Sequence, residues 1–402
     1  MRLFKRNNPA PIGETASPFI WRDMYENGGR LKLAPTISAE VAKLVTLEFS
    51  GKIHGSKRAE VINEAFKSVT KNIRNISETA CALGSVILKP YFDGTKIATS
   101  FVPADGYEIL SVTPSGEISG IRFYERVTYK GIRFVKHEEH KMGKGFYTIS
   151  NSAYKDSDGV LENVPLKSVP AWSDLEEEAT VRNLNVPLFA RFSLPNSVPI
   201  YARSRELIED AEKQYERILW EYESGERALY VDETAVLRNE RKEASLPGRR
   251  LYRMLNTGDD ALFEDWTPEL RHEPLFYGLD RIFKRIEFNS GLAYGTISDQ
   301  TTVEKTAEEI RSSKQRSYAT VLEIQTLLKT AIIEWAKATD ALCDIYGLAT
   351  SGEYTVDLAF DDSIIADRNR EFEERLELLK NGVITAEEMR WWYMGEGDKN
   401  ES

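Results

Sequence analysis

Apolar residues recur at two different periods along this chain, and the switches between them divide it. Residues 1–27 are polar and broken by Pro9, Pro11 and Pro18, which predicts an extended arm. Val41, Leu44, Val45, Leu47 and Phe49 predict a helix over 38–50 with Ser38 as N-cap. A second helix over 60–75 carries Val61, Ile62, Ala65, Phe66, Val69 and Ile73 at helical spacing. From Val86 to about 155 the period changes to two. Val86-Ile87-Leu88, Ile109–Val112, Ile121–Tyr124, Arg133–Val135 and Phe146–Ile149 predict short antiparallel strands, with turns at Asp93-Gly94 and Thr113-Pro114-Ser115-Gly116.

Helical spacing returns at Ser204. Leu207, Ile208, Ala211, Tyr215, Ile218, Leu219 and Tyr222 share one face, acidic residues crowd the other, and Gly225 is a stop. The next stretch, 228–268, has mixed character and predicts a small β insertion between helices. A helix over 275–290 follows, then a break at Gly291-Leu292-Ala293-Tyr294-Gly295-Thr296. The longest helical stripe runs from about 302 to 346 through Ala307, Ile310, Val321, Ile324, Leu328, Ile332, Trp335 and Leu342. That exceeds the roughly 8–20 residues usual in globular domains. Tyr354–Phe360 alternates as a strand, and charged helical segments close the sequence.

Composition narrows the classes. The 402 residues, 41% apolar and 29% charged, are those of an ordinary folded protein of two or three domain-sized units. No run of 18 apolar residues exists, which excludes a transmembrane helix. Basic residues at the start lead to Asn7, Asn8 and Pro9 rather than an apolar core, so a secretion signal is not expected and synthesis in the cytosol is. Cys81 and Cys343 lie far apart, without a CxxC or a disulfide framework. Net charge is −11 with a pI near 5.2. Tight DNA binders neutralise phosphates with Lys and Arg, so any contact with nucleic acid here is expected to be weak.

Few residues carry candidate chemistry. His137-Glu138-Glu139-His140 places two imidazoles at i and i+3 in a strand-rich stretch. Odd spacing sends them to opposite faces, unlike the i, i+4 helical pair of zinc hydrolases. Asp361-Asp362-Ser363 resembles the carboxylate pairs of metal-dependent phosphotransfer sites, but no partner Glu/Asp/His motif stands elsewhere and it reads as a cap. Cys81, beside Ala82 and Leu83, reads as buried. A P-loop, GxSxG and GxGxxG are missing from the sequence. The basic run Arg238, Arg241, Lys242, Arg249, Arg250, Arg253, interrupted by Glu240 and Glu243, reads as a solvated hairpin or as a contact with another subunit or nucleic acid. No metal, cofactor or catalytic constellation is expected.

Several longer stretches are more specific. Ala80-Cys81-Ala82-Leu83-Gly84 precedes Val86-Ile87-Leu88-Lys89-Pro90-Tyr91, and the His137–His140 run precedes Phe146-Tyr147-Thr148-Ile149-Ser150-Asn151. Arg285-Ile286-Glu287-Phe288-Asn289-Ser290-Gly291-Leu292-Ala293-Tyr294-Gly295-Thr296 is followed by Glu304-Lys305-Thr306-Ala307-Glu308-Glu309-Ile310 and Gln315-Arg316-Ser317-Tyr318. Phe360-Asp361-Asp362-Ser363 and Asp367 complete the set. Across nearly the whole chain these resemble the portal proteins of tailed bacteriophages, in the branch with long non-contractile tails that infects Gram-positive hosts. The departure is Ala202-Arg203-Ser204, where the family usually has Gly before the Ser that opens the first long helix.

The resemblance implies an α+β portal fold: a β-rich wing, two stem helices flanking a small α/β clip, and a long wing and crown helix. The implied boundaries are an arm 1–37, wing 38–200, stem helices 201–226 and 275–295, clip 227–274 and tunnel loop 296–303. The long helix takes 304–350, and the C-terminal strand and a short crown take 351–402. It implies a homo-oligomeric ring, twelve copies in the virion, at one capsid vertex, assembled in the host cytoplasm. Double-stranded DNA would pass weakly and without sequence preference. Terminase large subunit, which would carry the ATPase, a head–tail adaptor, and capsid and scaffolding proteins are the implied partners, with no membrane. Thr296, Ser298, Gln300, Thr301, Thr302 and Lys305 become tunnel candidates. Glu209, Glu212, Glu216, Arg281, Lys284 and Arg285 become stem contacts between subunits, and Arg238, Arg241, Lys242, Arg249 and Arg250 clip contacts. Readings of another class are a metal-dependent nuclease or hydrolase using Asp361, Asp362 and the two His, or another head–tail adaptor.

Overall fold

The computed structural model describes residues 18–47, 49–143, 145–157, 159–226, 228–232, 252–255, 263–299, 307–360 and 368–394. They fall into two compact units. One comprises the described residues within Met1–Arg22, Ser38–Ile200 and Ala307–Ser402; the other comprises those within Asp23–Ile37 and Tyr201–Thr306.

The chain enters through helices α1 (Pro18–Asn27) and α2 (Leu33–Val45). Both depart from expectation. The end of the expected arm is helical and buries Trp21. The second helix starts five residues before Ser38, which is fully buried inside it rather than capping it. Pro35 is compatible with that start because the first turn needs no donor from it. Strand β1 (Ser50–Gly55) then pairs antiparallel with β14 (Tyr354–Ala359), Ser50 opposite Ala359.

Helix α3 (Lys57–Leu83) buries Ile62, Phe66, Val69, Ile73, Ile76 and Ala80 on one stripe, so it outruns the 60–75 expected. Gly84 ends it at φ 88°, where a Cβ would run into the Ser197 carbonyl. Strands β2 (Ser85–Phe92) and β3 (Ile97–Pro103) form a hairpin around Asp93, whose carboxylate accepts the Thr95 and Lys96 N–H groups. The later strand β10 (Ala190–Ser193) joins β2 on its other edge.

The larger sheet comprises β4 (Tyr107–Val112), β5 (Ile118–Tyr129), β6 (Ile132–Met142), β7 (Phe146–Ser157) and β8 (Val160–Val164) in that order, with β9 (Glu178–Arg182) also on β7. Ile121 and Phe123 pack with Ile87, Tyr107 and Phe189 in one cluster. Phe134 and Ala153 pack with Leu166, Val169 and Trp172 in another.

Helix α4 (Arg205–Ser224) leads to β11 (Ala228–Asp232), β12 (Tyr252–Leu255) and β13 (Phe263–Trp266), a small sheet in the order β12-β11-β13, as the mixed stretch predicts. Helix α5 (His272–Asn289) follows. Helix α6 (Ala307–Tyr346) is 40 residues long and packs on β2, β10 and α3. Within it Trp335 is fully buried, 5.8 Å from the Phe66 ring, and donates to Thr99 Oγ1 at 3.1 Å. Arg58 is fully buried and binds the Asp340 carbonyl and carboxylate, Asp344 and the Ala349 carbonyl. Helices α7 (Arg368–Lys380) and α8 (Ala386–Met394) close the described chain.

Candidate functional site

Helices α4 and α5 run antiparallel as one pair. Three contacts fix their register: the Gln214 side chain donates to the Leu275 carbonyl, Asn289 to the Arg203 carbonyl, and Arg271 to Glu221. Ile208, Ala211 and Ile218 of α4 and Leu279 and Ile286 of α5 are the buried apolar positions, spaced as an amphipathic pair requires.

The faces turned away from this seam differ in chemistry. On α4 the exposed positions Glu209, Lys213, Glu216, Trp220 and Glu223 lie on one stripe, with Lys213 paired to Asp210 and Trp220 61% exposed. On α5 the exposed stripe is Tyr277, Arg281, Arg285 and Phe288. Arg281 lies over the Tyr277 ring at 4.9 Å and Arg285 over the Phe288 ring at 5.1 Å. The hydrogen bond to Tyr277 raises the Arg281 pKa further. One outer face carries three carboxylates and a paired Lys213 around an indole, and the other is cationic and aromatic.

Two stem candidates serve this chain itself. Lys284 pairs with Asp280 one turn back on its own helix, both side chains largely buried. Glu212 accepts the Arg30 and Leu31 N–H groups at 2.8 and 2.9 Å. Glu209 stays exposed, 3.4 Å from Arg205, and Glu216 is exposed.

The segment after α5 folds back on the helix. Ser290 caps the end, Gly291 adopts φ 70°, and the Leu292 N–H reaches the Glu287 carbonyl at 2.9 Å, a left-handed helix stop. Gly295, at φ 88°, turns the chain again. The Glu287 carboxylate, fully buried, then accepts four donors. Gly295, Ile297 and Ser298 N–H reach Oε1 at 3.0, 2.7 and 2.9 Å, and the Ser298 hydroxyl reaches Oε2 at 2.8 Å. Two turns earlier Asp280 accepts the Asp299 N–H at 3.0 Å.

This geometry revises the tunnel candidates. Ser298 is 6% exposed and bonded to Glu287, so its hydroxyl does not face outward. Thr296 is exposed, with its hydroxyl donated to the Ala293 carbonyl at 2.6 Å. Gln300, Thr301, Thr302 and Lys305 lie outside the described residues, as do Arg238, Arg241, Lys242, Arg249, Arg250, Asp361 and Asp362. Sequence reading passed over Glu287, Asp280 and Trp220. The signal for Glu287 was a carboxylate four and eight residues ahead of two glycines, which allows a chain that reverses onto its own helix.

The two histidines of the larger sheet have separate surroundings. His137 sits between the Tyr124 and Tyr154 rings. His140 is buried, its Nδ1 2.8 Å from the Tyr147 hydroxyl and its Nε2 2.7 Å from Glu138. Burial lowers the His140 pKa, against the pull of Glu138. Burial also opposes ionisation of Glu138, but Lys89, His140 and Lys136 outweigh it and hold the carboxyl well below its usual range. Among the described residues no three His, Cys, Asp or Glu converge as a metal site. Cys81 is buried as expected, its thiol pushed up to about 12 by desolvation.

Comparison with solved structures finds similar chains at low identity. "Neck of native GTA particle computed with C12 symmetry" matches at 8% identity and a TM-score of 0.44, covering 95% of this chain and 94% of the other. "Neck of empty GTA particle computed with C6 symmetry" matches at 11% identity and a TM-score of 0.45, with the same coverage. None of the curated proteins compared with the chain matches it. The family model described as "Phage portal protein, SPP1 Gp6-like" matches residues 53–393, and the chain belongs to that family of portal proteins.

Proposed function

We propose that copies of this chain assemble head-to-tail through the α4–α5 pair into a ring, twelve in the virion. Its tunnel is the conduit for double-stranded DNA during packaging and ejection. The single observation that carries this is the complementarity of the two outer faces: Glu209, Glu216, Trp220 and Glu223 on α4, where the one cation of the stripe, Lys213, is paired with Asp210, and Tyr277, Arg281, Arg285 and Phe288 on α5. Two different faces of one unit that fit each other make a heterologous contact, and such contacts close into rings when the rotation permits. Opposite charge sets register and partner choice, while Trp, Tyr and Arg are the side chains that carry interface energy.

On this reading α4 and α5 are the stem, the β11–β13 sheet is the clip, and the segment joining α5 to α6 is the tunnel loop. The β-rich sheets with α3 form the wing, and the C-terminal helices form a short crown. The net charge of −11 suits a wall along which DNA slides rather than sticks. The clip would dock terminase large subunit and a head–tail adaptor, with Arg238, Arg241, Lys242, Arg249 and Arg250 as contacts, and the wing would meet capsid and scaffolding proteins. The chain itself would catalyse nothing.

The test is a charge exchange. R281E with R285E should abolish rings in sedimentation while the monomer stays folded, and adding E209R and E216R should restore them. Lys284 is left untouched because Asp280 needs it. Normal rings from the R281E/R285E protein would overturn the assignment.

A further inference from the structure

We infer that copies of this chain also meet through the β-rich unit: a groove beside α6 takes the β7–β8 hairpin of the next copy, with Val160 against its apolar lining and Glu162 on Arg191. The inference rests on the ring reading and adds to it a second contact, outside the α4–α5 pair.

The groove, about 600 Å³, lies between α6, the β4–β5 turn and the segment that leads into β10. Ile118, Met142, Phe189 and Leu327 give it an apolar lining, and a cleft of this size and character suits an apolar side chain with one polar anchor. Arg191 supplies the anchor. Its Nε donates to the Tyr107 hydroxyl at 3.1 Å and its Nη2 to the Ser197 hydroxyl at 2.7 Å, both neutral acceptors. Among the described residues no carboxylate pairs with this half-buried guanidinium, whose strongest partner would be one. The other charges of the groove, Glu117, Glu334 and Lys337, are exposed at its rim, where water screens them.

The opposite end of the same sheet supplies the occupant. Val160, 71% exposed, and Leu161, 46% exposed, stand together at the start of β8. Glu162 is exposed beside them, and among the described residues it forms no ion pair. Single exposed apolar residues are ordinary, but two in succession next to an unpaired carboxylate match what the groove lacks. The hairpin end, where Ser157 is opposite Val160, lies beside Arg133 at one end of β6. Met142, in the groove, is at the other end, roughly 30 Å away at ~3.3 Å per residue. A hairpin so placed does not reach the groove of its own chain, and that of another copy can. Knob and socket at different ends of one unit make a heterologous contact, the kind that passes from copy to copy around a ring.

The experiment is disulfide trapping in sedimented rings. Cys81 and Cys343 are buried and do not compete. Val160, Thr330 and Asn185 are exposed in the monomer, the last two on the groove. V160C/T330C or V160C/N185C should cross-link copies into a ladder in at least half of the chains under mild oxidation, and V160C alone should not. Adding E162K should lower that yield at least fivefold, whereas E162D, which keeps the charge, should lower it less than twofold. Rings in which neither pair cross-links would overturn the inference and leave the ring reading standing. A ladder from V160C alone, joining tip to tip, would overturn it too, as would an E162K yield equal to the parent's. A parent protein that sediments only as monomer would overturn the ring reading, and the inference with it.

Discussion

Arg271 meets Glu221 with three donors: its backbone N–H and Nε reach Oε1 at 2.9 and 3.1 Å, and Nη2 reaches Oε2 at 2.8 Å. The pair closes the α4–α5 seam where the small β11–β13 sheet is inserted, so the two helices stay in register whatever that sheet contacts. Bidentate geometry is what distinguishes this from an ordinary surface ion pair.

The hydrogen bonds from Arg271 hold the Glu221 carboxyl down to about 2, against an ordinary value of 4.5. The folded form thus binds its proton later than the unfolded form does as pH falls. The stabilisation is complete above about pH 4.5 and is lost progressively toward pH 2. E221Q should lower the thermal midpoint at pH 7, and the gap to the parent should close as pH approaches 2. A gap that stays constant across that range would contradict the pairing.

On strand β6, Glu138 is within 2.6 Å of Lys89, 3.3 Å of Lys136 and 2.7 Å of His140. E138Q strips the charge from a site where these groups are already desolvated, and should destabilise the protein by about 3–5 kcal/mol in chemical denaturation. His140 acts with the same sign: its pKa is lowered by burial, so stability falls as pH drops below its ordinary value of 6.5. Replacing Glu138 with less than about 1 kcal/mol of loss would show that the network is not needed for stability.

Trp220 is an exposed side chain of the monomer, so W220S should change monomer stability by no more than about 0.5 kcal/mol. The same substitution should shift the monomer–ring equilibrium at least tenfold toward monomer in analytical ultracentrifugation. Unaltered assembly would remove Trp220 from the contact.

Deleting Gln300–Thr302 should leave rings intact and reduce DNA packaged or retained in capsids. A small hydroxyl-rich segment can touch phosphates without the salt-dependent grip of lysine. The deletion starts beyond Asp299 because Ser298 belongs to the anchored part. Full packaging by this variant would make the loop a plain connector.

Much of this fold was legible because its signals are local. The stripe of α4, the alternation of β14 and the mixed stretch that became β11–β13 each sit within a short window. What escaped depends on distant partners. Strand β1, Ser-Gly-Lys-Ile-His-Gly, has little strand character and exists because β14, some 300 residues later, pairs with it. The first helix follows two prolines and is held by burial of Trp21, which no local rule weighs. Ser38 looked like a cap because caps and buried small polar residues are the same residue types. The site was half legible. Charge on α4 and α5 pointed to their outer faces, but Glu287 and Ser298 are joined through backbone N–H groups, which residue patterns do not display.

The grip of Arg58 on Asp340 and Asp344 has a mechanical consequence. At 1.5 Å per residue, Ala307 lies about 50 Å from that grip along α6. Burial of Val321, Leu328, Ile332 and Trp335 fastens the same helix to α3 and β2 over a further ~30 Å. A rod clamped at so many points does not hinge at Arg58. A push on its Ala307 end is delivered to α3 and β2 together.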